Sequence, residues 1–178
     1  DAVGIFSTFP ATMGLAAAVL GDQADGGDAS LIDGFAAAVR TEWVATGLRN
    51  GYMYMADVVT DPRWQRIYGT FGESPELITD IVGRLVAGMQ GELGPDSLAA
   101  TIKHFPGGGP RENGFDPHYV EGKWNCYPTP GSLEAYHLPP FKAAAEASSF
   151  MPYYSAPSIK RSAVQQIGFN QSHDRNPV

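Results

Sequence analysis

Apolar residues recur along this chain in blocks whose period switches between that of a helix and that of a strand. Over residues 30–46, Leu31, Ile32, Phe35, Ala38, Val39 and Val44 fall at helical spacing with Gly47 close behind as a stop, which predicts an amphipathic helix. Residues 52–59 instead form a short, nearly continuous apolar run rich in aromatic and β-branched side chains, closed by Thr60, Asp61 and Pro62. That pattern predicts a strand covered on both faces. Ser74, Pro75 and Glu76 then have the form of a helix start with proline in the first turn, and Leu77, Ile81, Leu85 and Met89 carry the stripe on to Gly91. The succession returns with a strand over 98–105, a long irregular segment over 106–130, a helix over 133–147 in spite of Pro139 and Pro140, and a strand over 150–154. Ahead of all these, residues 1–12 read as a loop entering a short helix over 13–20, and beyond Arg161 the polar, turn-prone composition predicts a frayed segment over 161–178.

Strand, loop and helix in repetition imply parallel βαβ units, hence an α/β fold built as a partial TIM-type (β/α) barrel that lacks its first and last strands. Closing such a barrel takes eight strands and usually at least about 200 residues, so the remaining strands belong to another chain or lie outside this sequence. With 178 residues, 43% of them apolar, the chain has material for one domain and reads throughout as a single partial one. A net charge of -7 with only 12 Lys and Arg and no basic run argues against a nucleic-acid or anionic-membrane surface, and favours neutral or small substrates. Cys126 is the single cysteine, which excludes an intrachain disulfide and any multi-cysteine metal site; it reads as a buried or idle thiol. The apolar stretch over 13–20 is broken by Gly14, is too short to span a membrane and follows no basic segment, so no membrane segment is visible.

In a parallel barrel the open rim lies where strands end and their loops begin, and the charged residues gather there. Asp57, Asp61, Arg63 and Arg66 follow the first predicted strand, Lys103 and His104 end the second, and Tyr153 and Tyr154 end the third. A Lys-His pair at the end of an apolar strand leaves two polar groups to be satisfied, and unpartnered burial costs a few kcal/mol, so a substrate role is favoured over a structural ion pair. A metal site built on His104, His118 and His137 lacks the His-Glu-x-x-His or His-x-x-x-His spacing, and the Gly107-Gly108-Gly109 run lacks the context of a phosphate loop.

These residues resemble a known family. Asp61-Pro62-Arg63-Trp64-Gln65-Arg66 followed by Thr70-Phe71-Gly72-Glu73 and Pro75, then Lys103-His104-Phe105-Pro106-Gly107, then Met151-Pro152-Tyr153-Tyr154, resemble in order three motifs of the family 3 glycoside hydrolases. The chain departs from the pattern at Gln65, where glycine is usual, and at Gly69, Ser74 and Tyr153. The resemblance implies a retaining, exo-acting β-glucosidase type that removes terminal β-linked sugars and needs no cofactor; it favours a secreted or periplasmic protein. Arg66, Lys103 and His104 would then bind hydroxyls of the sugar beside the scissile bond, residue types whose charge-assisted donors suit vicinal hydroxyls. Tyr154 would donate a hydroxyl near the nucleophile. Asp61, Arg63 and Glu73 are expected to brace the loop after the first strand through ion pairs.

The long loop adds a second implication of the resemblance. Asp116-Pro117-His118 has the Asp-x-His spacing that β-N-acetylglucosaminidases of the family carry as a His-Asp acid/base pair, and imidazole suits proton transfer near neutral pH. Retention also needs a carboxylate nucleophile. The family's Ser-Asp-Trp or Thr-Asp-Trp motif does not occur here, Gly168-Phe169 being followed by Asn170-Gln171, so the chain alone is expected to be inactive. The alternatives are a β-N-acetylglucosaminidase type, or a carbohydrate-binding fragment without catalysis.

Overall fold

The computed structural model describes residues 7–127 and 131–157; the segment expected to fray lies outside them. Helix α1, Thr12–Ala24, runs one turn past the apolar stretch that announced it. Its Asp22 carboxyl accepts from the Ala29 N–H at 3.0 Å, which ties the polar last turn to the following loop. Helix α2, Leu31–Ala45, buries Ile32, Phe35 and Val39 of the stripe its spacing predicts together with Ala36, while Leu31, Ala38 and Val44 are only partly covered. Helix α3, Pro75–Met89, opens as expected: Ser74 Oγ accepts from the Leu77 N–H at 3.2 Å, and Pro75 occupies the first turn, where no N–H is needed.

Three parallel strands carry these helices. Strand β1, Asn50–Gly51, pairs with β2, Ala99–Phe105, and β2 pairs with β4, Ser149–Pro152, in the order β1-β2-β4. Consecutive strands lie side by side with α3 and then α4, Leu138–Ala143, between them, which is the singly wound arc of an incomplete (β/α) barrel. Ala100 and Ile102 of β2 are buried in one cluster with Ile78, Ile81 and Leu85 of α3, Val19 of α1 and Phe141 of α4. The buried Gln90 joins the layers: its Oε1 accepts from the Ala100 N–H at 3.0 Å and the Ser148 N–H at 2.9 Å, while its amide donates to the Glu146 carbonyl.

The first strand is shorter than the apolar run suggested. Beyond β1 only Met55 bridges to Lys103, the Ala56 N–H donating to the Lys103 carbonyl at 2.6 Å. The chain then leaves the sheet: the Val59 N–H donates to the Gly72 carbonyl at 3.0 Å, and Tyr52 is exposed rather than covered. The helix expected over 133–147 begins as a wide π turn, Leu133–His137, in which the Leu138 N–H reaches the Leu133 carbonyl. Pro139 and Pro140, which have no N–H to donate, sit in the following turn and prevent an ordinary α-helical start. The last strand of the sheet ends at Pro152, and the Tyr153 N–H donates instead to the Phe105 carbonyl at 2.9 Å.

A second, unanticipated sheet comes from the long loop. Strand β3, Trp124–Asn125, pairs in parallel with β5, Ala156–Pro157. Beneath it, Tyr127 and Leu133 form a small cluster against Leu138, with the buried His137 ring 5.2 Å from that of Tyr127. Burial pushes the His137 imidazole down to about 4, against an opposing pull from Asp57.

Ile81→Ala, which empties a fully buried position, is expected to lower stability by roughly 2–5 kcal/mol in chemical denaturation. Because His137 binds its proton less readily folded than unfolded, stability is fully present above the ordinary histidine value and declines as pH falls from about 6.5 to about 4. His137→Leu should flatten that decline in denaturation curves taken across this window, and an unchanged decline would count against the assignment.

Candidate substrate site

Asp57 stands at the point where the chain leaves the sheet, and it is fully buried. Its Oδ2 accepts from the His104 backbone N–H at 3.1 Å and lies 3.0 Å from His104 Nδ1; its Oδ1 accepts from the Gly108 N–H. One side chain thus fixes both the end of β2 and the first turn of the long loop. The glycine run makes that approach possible. A Cβ at Gly108 would fall 2.6 Å from the Tyr153 ring, and one at Gly109 would fall 1.7 Å from the Val58 carbonyl oxygen.

Tyr153 packs its ring edge-on against His104 with centroids 4.6 Å apart, and the Arg111 guanidinium lies 4.5 Å from the same ring. Arg111 is buried and donates to Asn125 Oδ1 at 3.1 Å, to the Phe115 carbonyl at 3.1 Å and to the Gly122 carbonyl. Burial lowers its pKa, opposed by Tyr153, Asp116 and Asp57. The loop is therefore folded around a cation whose hydrogen bonds go to neutral acceptors, which is where β3 gets its anchor.

The open side of this arrangement is a cavity of about 180 Å³ lined by Tyr52, Arg66, Lys103, His104, Pro117, His118, Met151, Pro152, Tyr153 and Tyr154. Lys103 is half-buried with its ammonium 4.8 Å from the Tyr52 ring centroid. Burial, and then the nearby Arg66, lower its pKa, with Asp57 opposing. An ammonium stripped of water and facing a second cation gains from any ligand that offers oxygen acceptors. His118 projects from the long loop with Nδ1 2.6 Å from Asp116 Oδ1 and its ring 5.2 Å from that of Tyr154. Asp116 also accepts from the Gln65 amide. Burial acts to raise the Asp116 pKa, but the hydrogen bonds from His118 and Gln65 outweigh it and the net shift is downward.

The residues picked out by sequence thus divide. Arg66, Lys103, His104 and Tyr154 share one cavity, His118 joins them, and Asp116 stands behind His118 rather than in the wall. Asp61 and Arg63 pair at 2.7 Å, with Arg63 also donating to Asn113 Oδ1 at 3.2 Å, as a brace between loops. Glu73 forms no ion pair among the described residues; it lies exposed at the entrance to α3, where water solvates it. Sequence reading missed Asp57 as a hub, along with Tyr52, Gln65 and Arg111. The available signal was an acidic residue inside an apolar run, with three glycines after the next strand. Among the described residues no group of three or more His, Cys, Asp or Glu is arranged to hold a metal ion, and no helix is long and apolar enough to cross a membrane. A larger cavity of about 370 Å³, lined by Phe9, Leu15, Phe35, Val39 and Tyr54 among others, shares no residue with the polar one.

Residues 2–159 match the family described as glycosyl hydrolase family 3 N terminal domain. Beta-glucosidase C of Emericella nidulans is 44% identical over 158 residues, covering 86% of this chain and 24% of the relative. A periplasmic beta-glucosidase/beta-xylosidase of Dickeya chrysanthemi is 40% identical over 93% of this chain and 25% of its own length. The chain therefore spans about a quarter of the curated relatives it matches. Among solved structures, the exo-1,3/1,4-beta-glucanase of a Pseudoalteromonas species superposes with a TM-score of 0.70 at 29% identity, over 86% of this chain and 18% of that one. The beta-glucosidase of Listeria innocua in complex with isofagomine does so at 0.69 and 26% identity, over 86% and 20%. With the family matched over most of its length and the partial barrel shared with these structures, the chain belongs to glycosyl hydrolase family 3, in its N-terminal domain.

Proposed function

We propose that this chain supplies the sugar-binding wall of a retaining, exo-acting hydrolase of β-glucosidase type, which removes a terminal β-linked sugar from a glycoside. The observation that carries this reading is the convergence of Arg66, Lys103, His104, His118 and Tyr154 on one cavity. Two cations and two imidazoles around a space of about 180 Å³ suit a neutral ligand dense in hydroxyl oxygens, and the rings of Tyr52 and Tyr154 offer apolar faces for the C–H side of a pyranose. Relatives named for β-glucosidase and β-xylosidase activity agree with that substrate class. Arg66 and Lys103 hold vicinal hydroxyls, His104 is kept in place by Asp57, and Tyr154 donates its hydroxyl at the cavity mouth.

In this reading the Nδ1 contact with Asp116 leaves His118 Nε2 for a hydroxyl of the ligand. That pairing favours, as a second reading, a β-N-acetylglucosaminidase type in which the His-Asp pair replaces a carboxylate acid/base. The nucleophile that retention requires has no matching motif in these 178 residues, so this chain is expected to bind without turning over.

Calorimetric titration of the chain with glucose, a neutral sugar, should give saturable binding. Lys103→Met should weaken it by about tenfold or more, the loss of one charge-assisted contact. Absence of binding, or equal affinity in the variant, would defeat the sugar-site reading. Tighter binding of N-acetylglucosamine than of glucose would move the assignment to the second reading, whereas the β-glucosidase type predicts the reverse order.

A further inference from the structure

The loop after the first strand and the long loop meet at one side chain. Gln65 donates its amide to Asp116 Oδ2, while Asp116 Oδ1 accepts from the His118 backbone N–H at 3.0 Å and lies 2.6 Å from His118 Nδ1. Both carboxyl oxygens are thus committed, one to each loop. Arg66, the next residue after Gln65, lines the same cavity as His118. Asp116 itself stays outside the cavity wall, with its side chain mostly buried, while the His118 ring is half exposed.

We infer that Gln65 is a positioning residue for His118: by holding the second oxygen of Asp116 it fixes the carboxyl group that keeps the His118 proton on Nδ1 and leaves Nε2 as the acceptor facing the cavity. The inference rests on reading the cavity as a sugar site for its functional meaning, but the geometry stands by itself. Without Gln65 the Asp116 carboxyl group is held through Oδ1 alone, by the His118 backbone N–H and ring, and Oδ2 loses the donor that keeps the group from turning about that contact. A donor from the opposite loop removes that freedom, and the second partner that orients an imidazole decides which tautomer it adopts. The same bond joins the contact of Arg63 with Asn113, at 3.2 Å, and the packing of Gly114 on the Arg63 backbone in holding the two loops together beside the cavity that Arg66 and His118 line. Glycine, the residue usual at this place in the motif, has no side chain with which to make the link.

Long-range proton–nitrogen spectra of the histidine rings test this without any need for turnover. At about pH 8.5, where an ordinary imidazole is neutral, His118 of the unaltered chain should carry its proton on Nδ1. In Gln65→Leu, which keeps bulk but removes the donor, the ratio of Nδ1-H to Nε2-H forms should fall roughly fivefold or more, as expected for loss of one ordinary hydrogen bond. Gln65→Lys returns a donor of similar reach and should restore it. The His104 ring, held by Asp57, is the internal control and should not change. An unaltered tautomer in Gln65→Leu, or a His118 proton found on Nε2 in the original chain, overturns the inference. Addition of glucose separates the two readings. Ring signals of His104 and His118 that ignore the sugar defeat the sugar site and leave the role of Gln65 standing. Rings that respond to it while the tautomer ignores Gln65 do the opposite.

Discussion

The site depends on a single buried carboxyl group. Asp57 receives two backbone N–H groups and faces an imidazole nitrogen, and these come from the end of β2 and from the glycine turn after it. An acid at full burial is tolerable only with such partners, because desolvation without them costs several kcal/mol. The backbone just before Asp57 still pairs with β2, the Lys103 N–H donating to the Tyr54 carbonyl and the Ala56 N–H to the Lys103 carbonyl, and this pairing delivers the side chain to His104 and Gly108. Everything that lines the cavity is then set relative to it: Lys103 precedes the bound His104, Tyr153 packs on the His104 ring, and Arg111 lies against Tyr153.

Around that centre the structure separates charges that hold the loop from charges left for a ligand. Arg111 is buried and spends its donors on Asn125, Gly122 and Phe115, so it folds the long loop and gives β3 its place. Lys103 and Arg66 line the cavity, and partial burial, followed by repulsion from Arg66, lowers the pKa of Lys103. Preorganised cations in a partly dry space favour oxygen-rich neutral ligands more than bulk water does. The Asp116 and His118 pair adds a group able to exchange a proton, on a loop whose position Gln65 ties to the first one.

Much of the barrel was legible because its helices need only an apolar stripe and a cap. The α3 start at Ser74 and Pro75, and its buried row from Leu77 to Met89, follow from spacing alone. The strands were less legible, since an apolar run reports burial and not pairing. Residues 52–59 include the buried Met55, Ala56, Asp57 and Val58 yet pair with β2 only around Lys103, Val59 turning its N–H to Gly72 instead. In the helix over 133–147 the two prolines were visible, but the compensating π turn depends on where the preceding loop delivers the chain. Arg66, Lys103, His104 and Tyr154 were readable from their motifs. Asp57, Gln65 and Arg111 were not, because their importance lies in contacts across 47, 51 and 14 positions of sequence, respectively.

The most direct test of the hub is the affinity of Asp57→Asn for glucose, measured beside the original chain with an amide spectrum of each to show that the helices persist. An asparagine offers one acceptor where the carboxyl group offers two, and it turns a donor toward Gly108 or His104. A loss of about tenfold or more with the helical signals intact is the result expected if Asp57 organises the cavity. Unchanged affinity in a folded Asp57→Asn protein would contradict it.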